Sequence, residues 1–178
     1  MKTLPNNNGL CAFLFGILAQ KKTKSLWPEV GHHTILHGPR YKNHVKDIFI
    51  NGVLADDMSL YVHRPSVSDP TCAPKGDDTF YVLSCVPHLG HLNPVEWLKE
   101  NELYCEKVAY FLDDRLLPGF REKIVESHVM TPDEFGKDYL SPMGTGFSIE
   151  PRMFQSAWFR PVSYTHLRAH ETRGNIVC

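Results

Sequence analysis

Three groups of residues have the types and spacing to do chemistry. The densest is Phe147 to Pro161, FSIEPRMFQSAWFRP, where Trp158, Phe159 and Arg160 follow one another. Aromatic faces bury large areas and a guanidinium stays charged, so such a stretch could grip a flat or extended apolar partner with a cation close by. The same composition also suits a core-packing segment closed by a surface arginine. The second group is His32-His33, the best metal candidate by residue type. Adjacent residues on a strand point to opposite faces, which argues against both rings holding one ion, and no HExxH or comparable ligand set accompanies them. Packed or surface histidines, and no metal, are therefore expected. The third is Asp56-Asp57, whose position before a strand reads as a solvated turn or cap rather than an acid and base pair. No carboxylate stands out as a general base.

The elements that must carry these residues can be read in order. The chain has 178 residues, 42% hydrophobic and 22% charged, which is ordinary for a globular protein. A net charge of -1 gives no electrostatic case for nucleic acid. Five cysteines, at 11, 72, 85, 105 and 178, form no CxxC pair and are odd in number, so reduced thiols in a cytosolic setting are expected. The apolar run Leu10 to Ala19 has about half the length of a membrane span and no signal-peptide pattern, and reads as a buried strand.

Gly31 to Leu36 is a short β-rich segment, and Tyr41, Val45, Ile48 and Phe49 predict a short helix ending before Asn51-Gly52. Ser59 to His63, ended by Pro65, and Thr79 to Val86 read as two antiparallel strands joined by a polar loop. Asn93-Pro94 predicts the start of the longest helix, with Val95, Leu98, Leu103, Val108, Phe111 and Leu112 on its apolar face. A second short helix starting around Phe120, a half-buried strand Ile124 to Met130 and a helix capped at Thr131 complete the pattern. The fold class is α+β with a mainly antiparallel sheet and flanking helices. No GxGxxG follows any strand, so no dinucleotide site is visible.

Four passages, HHTILHGPRY, VLADDMSLYVHRPSVSDPTCAPKG, FYVLSCVPHLG and FSIEPRMFQSAWFRP, in this order and at these intervals resemble the C-terminal half of bacterial-type phytoene desaturases, the FAD-dependent carotenoid desaturase family. The resemblance covers roughly Leu10 to Pro161. It implies part of the substrate domain of a two-domain flavoprotein about three times as long, which withdraws hydrogen from C–C single bonds of a long polyene hydrocarbon. Electrons would pass through FAD to a quinone or oxygen, in a cytoplasmic enzyme working peripherally against a membrane surface. A hydrocarbon offers no polar handle, so its site must be an apolar tunnel.

On the same resemblance, Gln155, Trp158 and Arg160 lie at the flavin-proximal end, with Arg160 compensating charge on the reduced flavin or pairing with a surface acid. His32, His33 and His88 are tunnel-mouth or polar wall residues that would meet the substrate. Related flavoproteins (a carotenoid isomerase, ketolase or retinoid saturase) and a non-catalytic module for an apolar ligand or membrane surface remain alternatives. The family's glycine-rich segments at both ends are not seen, so this chain alone is expected not to hold FAD and to be inactive. Residues 1–9 read as a frayed start and 10–161 as the partial substrate-binding domain. From Val162 the tail VSYTHLRAHETRGNIVC carries no hydrophobic period, and VSYTHLRAHET resembles a translated sequencing-library adapter, so 162–178 is expected to be non-native.

Overall fold

The computed structural model describes residues 11–20 and 27–146. Its strands are β1 (Cys11–Gln20), β2 (His33–Leu36), β3 (Leu60–His63), β4 (Asp77–Val86) and β5 (Ile124–Met130). The helices are α1 (Tyr41–Lys46), α2 (Trp97–Arg115) and α3 (Pro132–Asp138). The five strands form one sheet in the order β2-β3-β4-β1-β5, with every neighbouring pair antiparallel. This is the α+β architecture with an antiparallel sheet that the alternating apolar runs predict, and β3 and β4 are the antiparallel neighbours expected.

Alternation along β4 sets the two faces of the sheet. Asp78, Phe80, Val82, Ser84 and Val86 are buried, while the residues between them are half-buried or exposed. Leu60 and Val62 of β3 join the buried face. Trp97, Tyr104, Val108 and Leu112 of α2 cover it in one core cluster with Trp27 and Phe120. Trp27 fills this core edge-on to Phe80 and Phe120, at 5.7 Å from each, and its indole N–H donates to the Pro118 carbonyl at 3.1 Å. The 27–30 loop is thus fixed to the turn that follows α2.

Two helices differ from expectation. α2 begins at Trp97, four residues after Asn93, and its first residues receive no side-chain cap. Its buried face is Trp97, Tyr104, Val108, Ala109 and Leu112, whereas Leu98 is 99% exposed and Leu103 is exposed as well. The large aromatics Trp97 and Tyr104 win the inward face because they bury more area per residue than leucine, and this rotates the helix away from the Leu98 side. The helix expected near Phe120 is only a 3-10 turn, Arg121–Lys123, leading directly into β5. α1 does end before Gly52, but through a π-helical turn, Asp47–Asn51, stopped by Gly52 in the left-handed region at φ 65°. A Cβ at Gly52 would meet the His91 ring at 2.5 Å, so both conformation and space require glycine there.

Candidate functional site

The open face of the sheet gathers imidazole and phenol groups at the β2 to β4 end. His33 and His63 are register partners across β2 and β3, and His63 is in turn the partner of Tyr81 on β4. His32 precedes the first residue of β2, and its carbonyl accepts from the Arg64 N–H at 2.8 Å, extending the ladder by one step. Outside the regular strand its ring is free to turn toward its neighbour. The His32 and His33 ring centroids lie 4.4 Å apart, and those of His32 and His63 4.7 Å. His33 stacks on His63 at 5.0 Å with an interplanar angle of 13°.

The expectation that adjacent histidines here point to opposite faces is therefore corrected: the strand begins one residue late, and His32 and His33 come together over His63. Hydrogen bonds order the group. His32 Nε2 and His63 Nε2 are 2.7 Å apart and share one N–H, while His32 Nδ1 meets Ser68 Oγ at 2.5 Å and His33 Nδ1 meets Tyr61 Oη at 2.7 Å. Desolvation, followed by the charges His32 and His33 would carry, holds His63 below the usual imidazole pKa. His63, Tyr61 and Ser68 were not singled out from sequence, although the outward alternation of Tyr61 and His63 in the strand ended by Pro65 is the signal that points to two of them.

His88 belongs elsewhere. It lies past the end of β4, is 7% exposed and stacks on His91 at 4.2 Å. Its Nδ1 accepts from the Gly90 N–H at 3.0 Å, which places the ring proton on Nε2, and that buried Nε2 has no hydrogen-bond partner among the described residues. Burial, then the neighbouring His91, pushes its pKa down. His32 and His33 thus form one imidazole group and His88 another. Gln155, Trp158 and Arg160, and the tail from Val162, lie outside the described residues.

Beneath the first group lies a fully buried ion pair. Arg64, next after His63, sends Nη2 to Asp78 Oδ2 at 2.6 Å, with the two side chains 1% and 0% exposed. Its Nη1 donates to the carbonyls of Trp27 at 2.8 Å and Val30 at 3.1 Å, and Ser66 Oγ donates to Asp78 Oδ1 at 2.8 Å. The guanidinium also faces the Phe80 ring at 5.5 Å. Spacing could not reveal this pair, because one member follows a strand and the other lies within the next one. Asp56 is a surface acid paired with Lys107, whereas Asp57, paired with Arg40, is largely buried.

Two of the described thiols, Cys85 and Cys105, are poorly suited to nucleophilic work. Cys72, Cys85 and Cys105 are free, and burial pushes Cys85 up and Cys105 up to about 11. A cleft of about 550 Å³ between α2 and the start of β5 is lined by Cys105, Ala109 and Ile124 together with Glu106, Asp113, Arg121 and Glu122, a mixed lining that does not select one class of solute. No helix among the described residues is long and apolar enough to cross a membrane. Flavin binding would require a pyrophosphate cradle, a glycine-rich turn from a strand into a helix N-terminus. Among the described residues all strand pairs are antiparallel and no strand enters a helix through such a turn, so they do not fit that part of FAD.

No family model matches the chain. Among curated proteins it is 62% identical over 153 residues to a phytoene desaturase (neurosporene-forming) of Rhodobacter capsulatus and 58% identical over 153 residues to that of Cereibacter sphaeroides. Each match covers 86% of this chain and 29% of the relative. A phytoene desaturase (lycopene-forming) of Pseudescherichia vulneris is 44% identical over 133 residues, which is 75% of this chain and 27% of that protein. The chain therefore spans less than a third of the length of these curated relatives.

Proposed function

This chain belongs, as a partial-length member, to the bacterial-type phytoene desaturases, a family of oxidoreductases, and from that membership we propose that it is a piece of the substrate domain of a carotenoid desaturase. The observation that carries the proposal is the 62% identity over 153 residues to a protein named for phytoene desaturation. The reaction is dehydrogenation of a long polyene hydrocarbon, each new double bond requiring the loss of two hydrogens. In the complete protein, FAD would supply the redox chemistry, with a quinone or oxygen as the electron acceptor. The described residues supply no flavin cradle, so their part is to build and orient the substrate wall.

The open face of the sheet supports that role. Tyr61, His63 and Tyr81 project from it opposite the core covered by α2, giving a broad aromatic surface on rigid strands. His32 and His33 stand at one end of this surface and His88 beyond the end of β4, which fits polar wall positions bordering an apolar channel. Gln155, Trp158 and Arg160 continue as flavin-proximal candidates. Exposed Leu92, Leu98 and Tyr110 offer apolar contacts suited to peripheral attachment at a membrane surface, in a protein working from the cytoplasm. A second reading, oxidation at another position of a carotenoid, draws on the 37% identity over 129 residues to a 4,4'-diapolycopen-4-al dehydrogenase of Metabacillus indicus. The higher identities to desaturases favour desaturation.

The test is recovery of the complete gene and its expression in a host that accumulates a colourless carotenoid precursor. Conversion to coloured, more unsaturated products is expected; unchanged precursor alongside soluble, flavin-loaded protein contradicts the proposal. The 178-residue chain alone is expected to show no stoichiometric flavin binding in a fluorescence titration, and tight binding at one flavin per chain would contradict that expectation.

A further inference from the structure

The arrangement of His32, His33 and His63 has more order than a polar channel wall requires. One ring nitrogen from each lies within 4.8 Å of the other two. Imidazole ligands of a metal ion bind through one ring nitrogen while the other is held by a hydrogen bond, which fixes the ring's direction. That division is already present for two of the rings: Ser68 Oγ engages His32 Nδ1 and Tyr61 Oη engages His33 Nδ1, which leaves the Nε2 atom of each for a ligand. His32 Nε2 and His63 Nε2 are held 2.7 Å apart. Two aligned nitrogen lone pairs at that distance need a shared proton or a cation between them.

We propose that His32, His33 and His63 form a three-imidazole site for a divalent d-block cation such as Zn²⁺, with a fourth position open to solvent. Zn–N bonds of about 2.0–2.1 Å in a tetrahedral site set the nitrogens about 3.3 Å apart, so the His32–His63 pair opens by roughly half an ångström and His33 closes in. The rings are exposed or half-buried and can make that adjustment by side-chain rotation. The backbone beneath them need not move, because His33 and His63 are paired in the sheet and the Arg64 N–H to His32 carbonyl bond fixes the third. With neutral imidazoles and no carboxylate among the three, the site selects borderline ions that favour nitrogen over the hard, oxygen-seeking Ca²⁺ and Mg²⁺.

The test needs neither flavin nor carotenoid, so it stands apart from the desaturase reading. The purified 178-residue chain, with any affinity tag removed, is titrated with Co²⁺ and followed by its d–d absorption, then competed with Zn²⁺. Expected is saturation at one Co²⁺ per chain with the intense bands of a four-coordinate ion, bleached by stoichiometric Zn²⁺ and indifferent to excess Mg²⁺. His33→Ala and His63→Ala are each expected to weaken binding by at least about tenfold, and Ser68→Ala by about tenfold through loss of the outer hydrogen bond. His37→Ala, outside the trio, should leave it unchanged. If His63→Ala fails to keep the parent's circular dichroism spectrum, His33→Ala, on the exposed end of β2, decides. Absence of saturable Co²⁺ binding, binding unaffected by His33→Ala, or equal loss in His37→Ala overturns the proposal.

Discussion

Arg64 and Asp78 lie out of water, so removing either partner strands a charge in the core. Arg64→Met or Asp78→Asn is expected to lower unfolding free energy by about 3–5 kcal/mol, read from denaturant midpoints. A loss under about 1 kcal/mol, typical of exposed pairs, would show that the pair is not closed in solution. The Arg64 bonds to the Trp27 and Val30 carbonyls make the loop before β2 depend on this residue, so its loss should also loosen the position of His32. At this scale the sequence told residue types and little about company. His32 and His33 were legible as a pair, but their common direction depends on a strand starting at His33 rather than at Gly31, a difference of register that adjacent letters do not encode. His63 was legible as an outward strand position; that it meets His33 follows only from strand pairing.

Among the elements, α3 was the most legible because its signal is entirely local. Thr131 accepts from the Glu134 N–H while the Glu134 carboxylate accepts from the Thr131 N–H at 2.6 Å, the reciprocal capping box that Thr131-Pro132-Asp133-Glu134 spells out. Thr131→Ala should cost about 1 kcal/mol of stability in thermal or chemical unfolding. α2 was legible in existence but not in facing, since its apolar residues outnumber the places on one helical stripe and packing chooses among them. Leu112→Ala, on the buried face, should cost about 2–5 kcal/mol, whereas Leu98→Lys should change stability by no more than about 0.5 kcal/mol. Reversed sensitivities at these two positions would put the other face of α2 against the sheet.

The molecule as a whole should be less stable in mild acid. His44, His63 and His88 all lie below the usual value of 6.5, chiefly because burial disfavours their charged forms; Asp57 and Asp47 partly offset this at His44. Between their folded values and 6.5 the unfolded chain binds more protons than the folded one, so stability rises with pH through that window. These groups are therefore expected to stabilise fully above the ordinary imidazole pKa and to lose that stabilisation as pH falls below it. Urea midpoints at about pH 7.5 and pH 5.5 test this, with a lower midpoint at the acid value expected and the reverse contradicting it.

The strand order carries a consequence for how the chain acquires its shape. β1 precedes the other described strands in the chain, yet it sits between β4 and β5, pairing Cys11 with Val86 on one side and Leu14 with Met130 on the other. β1 thus has to wait for its first partner until β4 has followed it, and for its second until β5 has. Closing loops of that length before any reward arrives makes folding slow, on the order of milliseconds to seconds, and leaves β1's apolar run available to other nascent chains in the interval. The segment that anchors the finished sheet is also the one in greatest need of shielding before the sheet exists.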